Sequence, residues 1–134
     1  MKTYFTWSLA ISLLLIASSF KPVPSLRGTW KFAGGIYNGK KESAPVGYSL
    51  QRKYDKSRYE AFLLEKGLKP EKYEAGNYTL KGDTCVDTET FSQQPSKITN
   101  IPVYYSFTLS NDSLILKGTL PTGMKVEEYW RRIK

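Results

Sequence analysis

The chain has 134 residues, 40% of them hydrophobic and 24% charged, with a formal charge of +8 and one cysteine. That length holds one domain with one modest core, and a single cysteine excludes an internal disulfide. With no histidine anywhere, the usual general base, the Ser-His and Cys-His pairs and zinc sites built from cysteine and histidine are excluded as well.

Residues 1–19, MKTYFTWSLAISLLLIASS, carry one lysine, then a mostly apolar run, then small residues, which is the layout of a cleavable secretory signal. The apolar run is shorter than the roughly 20 residues a helix needs to cross a bilayer, so no stable membrane insertion is expected after cleavage. Cys85 is the only cysteine, and a lipid anchor at the cleavage point therefore has no acceptor. The expectation is a secreted or periplasmic protein whose folded domain occupies residues 20–134.

From there on, short runs of Tyr, Phe, Thr and Val alternate with polar residues and are broken by Gly, Asn, Asp or Pro, the mark of β-strands. In LRGTWKFA, Leu26, Gly28, Trp30 and Phe32 fall on one face, with Arg27, Thr29 and Lys31 on the other. GYSLQRKY repeats the alternation with Tyr48, Leu50 and Tyr54. RYEAFLLE, KYEAGNYTL, DTCVDTET, VYYSFTLS, SLILKGT and KVEEYWRRI follow, about eight strands at the spacing of a sandwich or barrel. Gly76 breaks the parity between Tyr73 and Tyr78, which predicts a bulge. LKGDT and LSNDSL predict tight hairpins, and residues 34–46 and 93–102 predict the longer, mobile loops. Such a meander leaves two raw edges unless it closes, so an antiparallel eight-stranded up-and-down barrel is expected, with an open sandwich as the rival. At that size the interior is either filled by side chains or holds one small ligand.

Gly28 and Trp30 on the first strand, the GNYTLKGDT hairpin and the arginine-rich ending EEYWRRIK resemble small exported bacterial lipocalin-like domains of the calycin superfamily, over residues 26–134. The superfamily's disulfides and its long helix before the last strand have no counterpart. The resemblance implies that Trp30 closes one barrel end, with Trp130 on the last strand and an arginine, Arg132 or else Arg131, packed across it. It also implies a tendency to bind small apolar molecules.

No catalytic, cofactor-binding or metal-binding residues are expected. Asp87, Glu89, Glu127 and Glu128 read as solvated outward positions, and Cys85 as a small buried hydrophobe or a free thiol. Asn77 and Asn111 match the glycosylation acceptor pattern. The basic residues are scattered, Arg52, Lys53, Lys56 and Arg58 among Asp55 and Glu60, which argues against a nucleic-acid partner. Tyr48, Tyr59, Tyr78, Tyr105 and Phe107 are the residues expected to line a ligand cavity. The function expected is carriage of a small apolar or amphipathic ligand by a non-enzymatic barrel, an anionic ligand in view of the charge. The other reading is a protein-interaction module with a filled core.

Overall fold

The structure, a computed structural model, describes residues 23–134. The signal segment expected over residues 1–19 lies outside the described residues. Nine strands run in chain order: β1 (Gly28–Tyr37), β2 (Lys40–Ser43), β3 (Tyr48–Tyr54), β4 (Arg58–Glu65), β5 (Glu71–Lys81), β6 (Thr84–Ser92), β7 (Pro102–Ser110), β8 (Ser113–Thr119) and β9 (Lys125–Arg132). Consecutive strands pair antiparallel from β3 to β9, and β9 returns to pair with β1, which removes both edges. Eight strands, β1 and β3 to β9, form a closed up-and-down barrel.

The ninth strand corrects the loop expected over residues 34–46. β1 divides its second edge between two partners: Gly28 to Lys31 pair with β3, while Gly34 to Tyr37 pair with β2. Asn38 and Gly39 turn the chain between β1 and β2 with φ of 50° and 82°, the left-handed pair that matches the twist of a two-residue hairpin. The signal was the dipeptide Asn-Gly itself. The register of β1 against β9 shifts between Phe32 and Gly34, and the bulge bends β1 so that its far half leaves β3 and takes up β2 instead.

The bulge expected at Gly76 is present as a register shift between Ala75 and Gly76 against β6. A Cβ at Gly76 would strike the Thr88 carbonyl oxygen and the Tyr59 ring, so only glycine lets the two strands approach there. A second shift, between Ala61 and Phe62 against β5, inserts Tyr73 between Lys72 and Glu74.

One end of the barrel is solid. Trp30 is fully buried, and its indole N–H donates to the Leu26 carbonyl at 2.8 Å. The Arg132 guanidinium carbon lies 4.5 Å from the Trp30 ring centroid, and its nitrogens donate to the carbonyls of Arg27 (2.9 Å) and Ser25 (3.2 Å). One side chain thus stacks on the tryptophan and ties down the segment that crosses the barrel end. Gly28, with φ of 131°, lets the chain terminus pass: a Cβ there would stand 2.5 Å from the Lys134 carbonyl oxygen. That terminus in turn accepts from the Thr29 N–H at 3.0 Å. Arg131 points outward and is exposed. Above this floor, Phe32 meets Trp130 edge to face at 5.3 Å and Tyr54 meets Tyr78 at 4.9 Å, with Phe107, Leu114 and Leu116 closing the layer.

Candidate functional site: a charged barrel interior

Alternation along β3 turns Tyr54, Arg52 and Leu50 inward, and Arg52, 8% exposed, reaches the barrel axis. Its two terminal nitrogens approach Glu74 of β5 at 3.3 Å and Asp87 of β6 at 3.4 Å, and one of them donates to the Tyr54 hydroxyl at 3.1 Å. The guanidinium carbon lies 4.7 Å from the Tyr59 ring centroid and 5.2 Å from that of Trp130. Five strands therefore converge on one cation. Two buried donors there, Arg52 Nε and Trp130 Nε1, have no partner among the described residues.

Carboxylates outnumber that cation. Glu74 accepts from the Tyr59 hydroxyl at 3.1 Å, and Asp87 from the Cys85 thiol at 3.1 Å. Nearer the open end, buried Glu89 accepts from the Thr99 hydroxyl at 2.9 Å. Asn100 donates its backbone N–H to the Glu89 carbonyl at 2.7 Å, so the loop between β6 and β7 is latched to β6. Glu128, half-buried on β9, accepts from the Tyr37 hydroxyl at 2.8 Å. Four carboxyl groups and one guanidinium thus share the interior of a chain whose formal charge is +8.

Electrostatics follow from this imbalance. Burial raises both Glu74 and Asp87 above the carboxylate range, and Arg52 opposes the shift only in part. Burial works against the Arg52 charge, and Tyr54, Glu74 and Asp87 beside it more than offset this and hold its proton in place. Since one ionised carboxylate neutralises the cation, the Glu74 and Asp87 pair retains a proton to higher pH than either would alone. Burial also raises Tyr37, Tyr59 and Tyr105, and pushes Tyr73 up to about 12, so all four stay neutral hydroxyl donors. The Cys85 thiol is raised for the same reason and is inert as a nucleophile.

The sign of the pH dependence is set by the raised pair. An acid whose folded pKa lies above its unfolded value contributes fully at low pH, and that contribution is lost as pH rises through the folded value. Glu74→Gln keeps an acceptor for Tyr59 and leaves Asp87 and Arg52 as a balanced pair. Above the ordinary carboxylate range, the native protein should lose up to about 1.4 kcal/mol of stability per pH unit relative to this variant. Urea midpoints for both proteins at pH 4 to 8 read the difference directly. Parallel curves would show that Glu74 ionises normally.

The residues predicted from sequence divide by place. Tyr59, Tyr78, Tyr105 and Phe107 face the interior and are buried. Tyr48 is a correction: it is 42% exposed at the start of β3, because the strand has there run past the barrel wall onto the rim. Gly28, Trp30 and Arg132 meet at the closed end, whereas Trp130 lies one layer deeper, between Phe32 and Arg52. Asp87 and Glu89, expected outside, are inside, 5% and 6% exposed, and Glu128 also turns inward. Glu127 does face outward, with its carboxylate 3.0 Å from Lys117 Nζ. Arg52 was missed as an interior residue, although it shares parity with Leu50 and Tyr54. Among the described residues no group of histidine, cysteine or acidic side chains is arranged to hold a metal ion.

No protein-family model matches the chain, and no curated protein matches it either. Solved structures do. A lipocalin-like protein from Bacteroides uniformis is 21% identical and superimposes with a TM-score of 0.58, covering 81% of this chain and 98% of that one. A mutant of the fluorescent protein UnaG, 10% identical with a TM-score of 0.40 over 81% of this chain and 96% of its own, is too distant to bear on the argument. The closed eight-stranded meander and the first of these neighbours together identify a lipocalin-like fold.

Proposed function

We propose that this protein is an exported, non-enzymatic barrel that binds a small amphipathic molecule entering at the end opposite Trp30. The observation that carries the reading is the unequal polarity of the interior. The half near Trp30 is packed with aromatic and aliphatic side chains, while the half near the open end is lined by hydroxyls and by more carboxyl groups than the one guanidinium can neutralise. Buried surplus charge is a cost to folding and marks a place where function sets the residue choice.

The lining also revises the ligand expected from net charge. An anion would meet Glu74, Glu89 and Glu128, so a ring or short chain bearing a protonated amine fits better, its apolar part against Leu50, Tyr73 and Val126. Dansylcadaverine, a fluorescent primary amine, and dansyl-undecanoic acid, its anionic counterpart, separate the two. The amine should saturate and should bind at least tenfold more weakly to Glu128→Gln, with the acid binding poorly. If neither probe saturates on folded protein, the cavity reading fails. The Arg52-filled axis then supports the protein-interaction module instead.

A further inference from the structure

The two ends of the barrel differ in what their turns display. At the closed end the hairpin tips are polar: Asp55, Lys56 and Ser57 after β3, Gly82 and Asp83 after β5, Asn111 and Asp112 after β7. At the open end the connections carry Val46, Leu68, Ile101 and Met124, exposed by 96%, 66%, 40% and 38%, and Phe91 near the end of β6 adds 42%. Three of them adjoin a glycine in the left-handed region, Gly47, Gly67 and Gly123, with φ of 88°, 82° and 90° and nothing within 4 Å of where a Cβ would be. Each such turn is tight and projects into solvent, and each lifts one apolar side chain at its tip. Because the four connections that carry these residues alternate around the barrel, the apolar tips ring the mouth.

Cations accompany them. Lys40, Lys41, Lys66, Lys69, Lys97 and Lys125 are all exposed at this end, against Glu42, Glu65 and Glu71, and Lys72 Nζ lies 5.5 Å from the Phe91 ring centroid. Val23 and Ile133 are also exposed, but they flank β1 and β9 beside the closed end rather than standing at turn tips, and Tyr104 lies on the outer face of β7. Four turns at one end that each display an apolar side chain mark a contact surface. Separate tips with one or two apolar side chains each suit a soft, deformable partner better than a flat protein face, and the lysines select for negative charge.

We infer that the open end docks on an anionic lipid surface, with these tips entering the headgroup layer and the lysines pairing with acidic headgroups, so that the barrel mouth faces the membrane. The inference goes beyond ligand binding and stands or falls separately from it. Lysines near such a surface and shallow apolar insertion add to one another, and binding weakens with salt.

The test uses the chain with the N-terminus found on protein purified from its host, and vesicles of phosphatidylcholine with and without 30% phosphatidylglycerol. Sedimentation should show binding to the anionic vesicles only, weakened at least tenfold by Leu68→Glu with Met124→Glu. Both positions are exposed, so the fold should persist, as circular dichroism would verify. A polarity-sensitive dye on Leu68→Cys should brighten and shift to the blue with vesicles, while the same dye on Lys56→Cys at the closed end should not; Cys85 is fully buried and escapes labelling. Equal binding to both vesicle types, no binding by folded protein, or equal responses from the two dye positions would each overturn the inference. So would a paired glutamate variant that turns a dimer into a monomer while vesicle binding is unchanged, since the apolar tips would then serve a second copy of the chain.

Discussion

Replacing Arg52 with leucine should destabilise the protein by about 3–5 kcal/mol at neutral pH, the usual cost of stripping one partner from a buried charge cluster. The loss has two sources. Glu74 and Asp87 would share the barrel axis with no counter-charge, and the faces of Tyr59 and Trp130 would lose the cation stacked on them. Leucine supplies apolar volume, so an empty cavity is not the main term. Two further measurements isolate the electrostatic part. The deficit should shrink toward pH 4, where the stranded carboxyl groups take up protons, and Arg52→Leu combined with Asp87→Leu should be more stable than Arg52→Leu alone. A deficit below about 1 kcal/mol, independent of pH, would show that the cluster is solvated rather than buried.

Removing Arg132 with alanine should cost about 2–4 kcal/mol, from two charge-assisted hydrogen bonds and one stacked aromatic ring. Those bonds run to the Ser25 and Arg27 carbonyls, residues that precede β1 and cross the barrel end. Without them that segment is held mainly by the Trp30 indole bond to Leu26. Arg132→Lys should fall between the two, because an ammonium can neither fork to two carbonyls nor stack as a plane. Arg131→Ala, on the exposed face of the same strand, should change stability by less than about 0.5 kcal/mol. Chemical denaturation of the three variants gives the order, and an Arg131 loss equal to that of Arg132 would mean that β9 as a whole, rather than the Trp30 contact, carries the effect.

The interior polar site was half legible. Arg52 stands two residues from Leu50 and from Tyr54, Asp87 and Glu89 follow Cys85 at the same interval, and Glu128 lies midway between Val126 and Trp130. Parity therefore placed all four on the inner face. Residue type argued the other way, because a lone buried charge is costly and the ordinary place for Asp, Glu and Arg is the surface. What reverses the expectation is that the charges are not alone: Arg52 comes from β3, Glu74 from β5 and Asp87 from β6, and no local pattern reports a partner 22 or 35 residues away. Tyr48 failed for the opposite reason, since parity says which face a residue takes but not whether a strand has run past the end of the wall.

Whereas the arginine packed across Trp30 was implied by the resemblance to lipocalin-like domains, the sequence alone determined eight of the nine strands, their antiparallel order, the polar hairpin tips and the bulge at Gly76. These depend on side-chain alternation, on turn residues with special backbone freedom and on the need to close an edge, all of which are local or follow from strand count. Only the tertiary structure decided that Arg132 rather than Arg131 covers Trp30, that β1 divides its edge between β2 and β3, that one cation and four carboxyl groups share the barrel interior, and that the apolar turn tips gather at one end. Each of these depends on which residues closure brings together across the barrel, and a bulge of one residue is enough to change that answer, because the pattern along a strand repeats every two residues while the register between strands is set by the whole sheet.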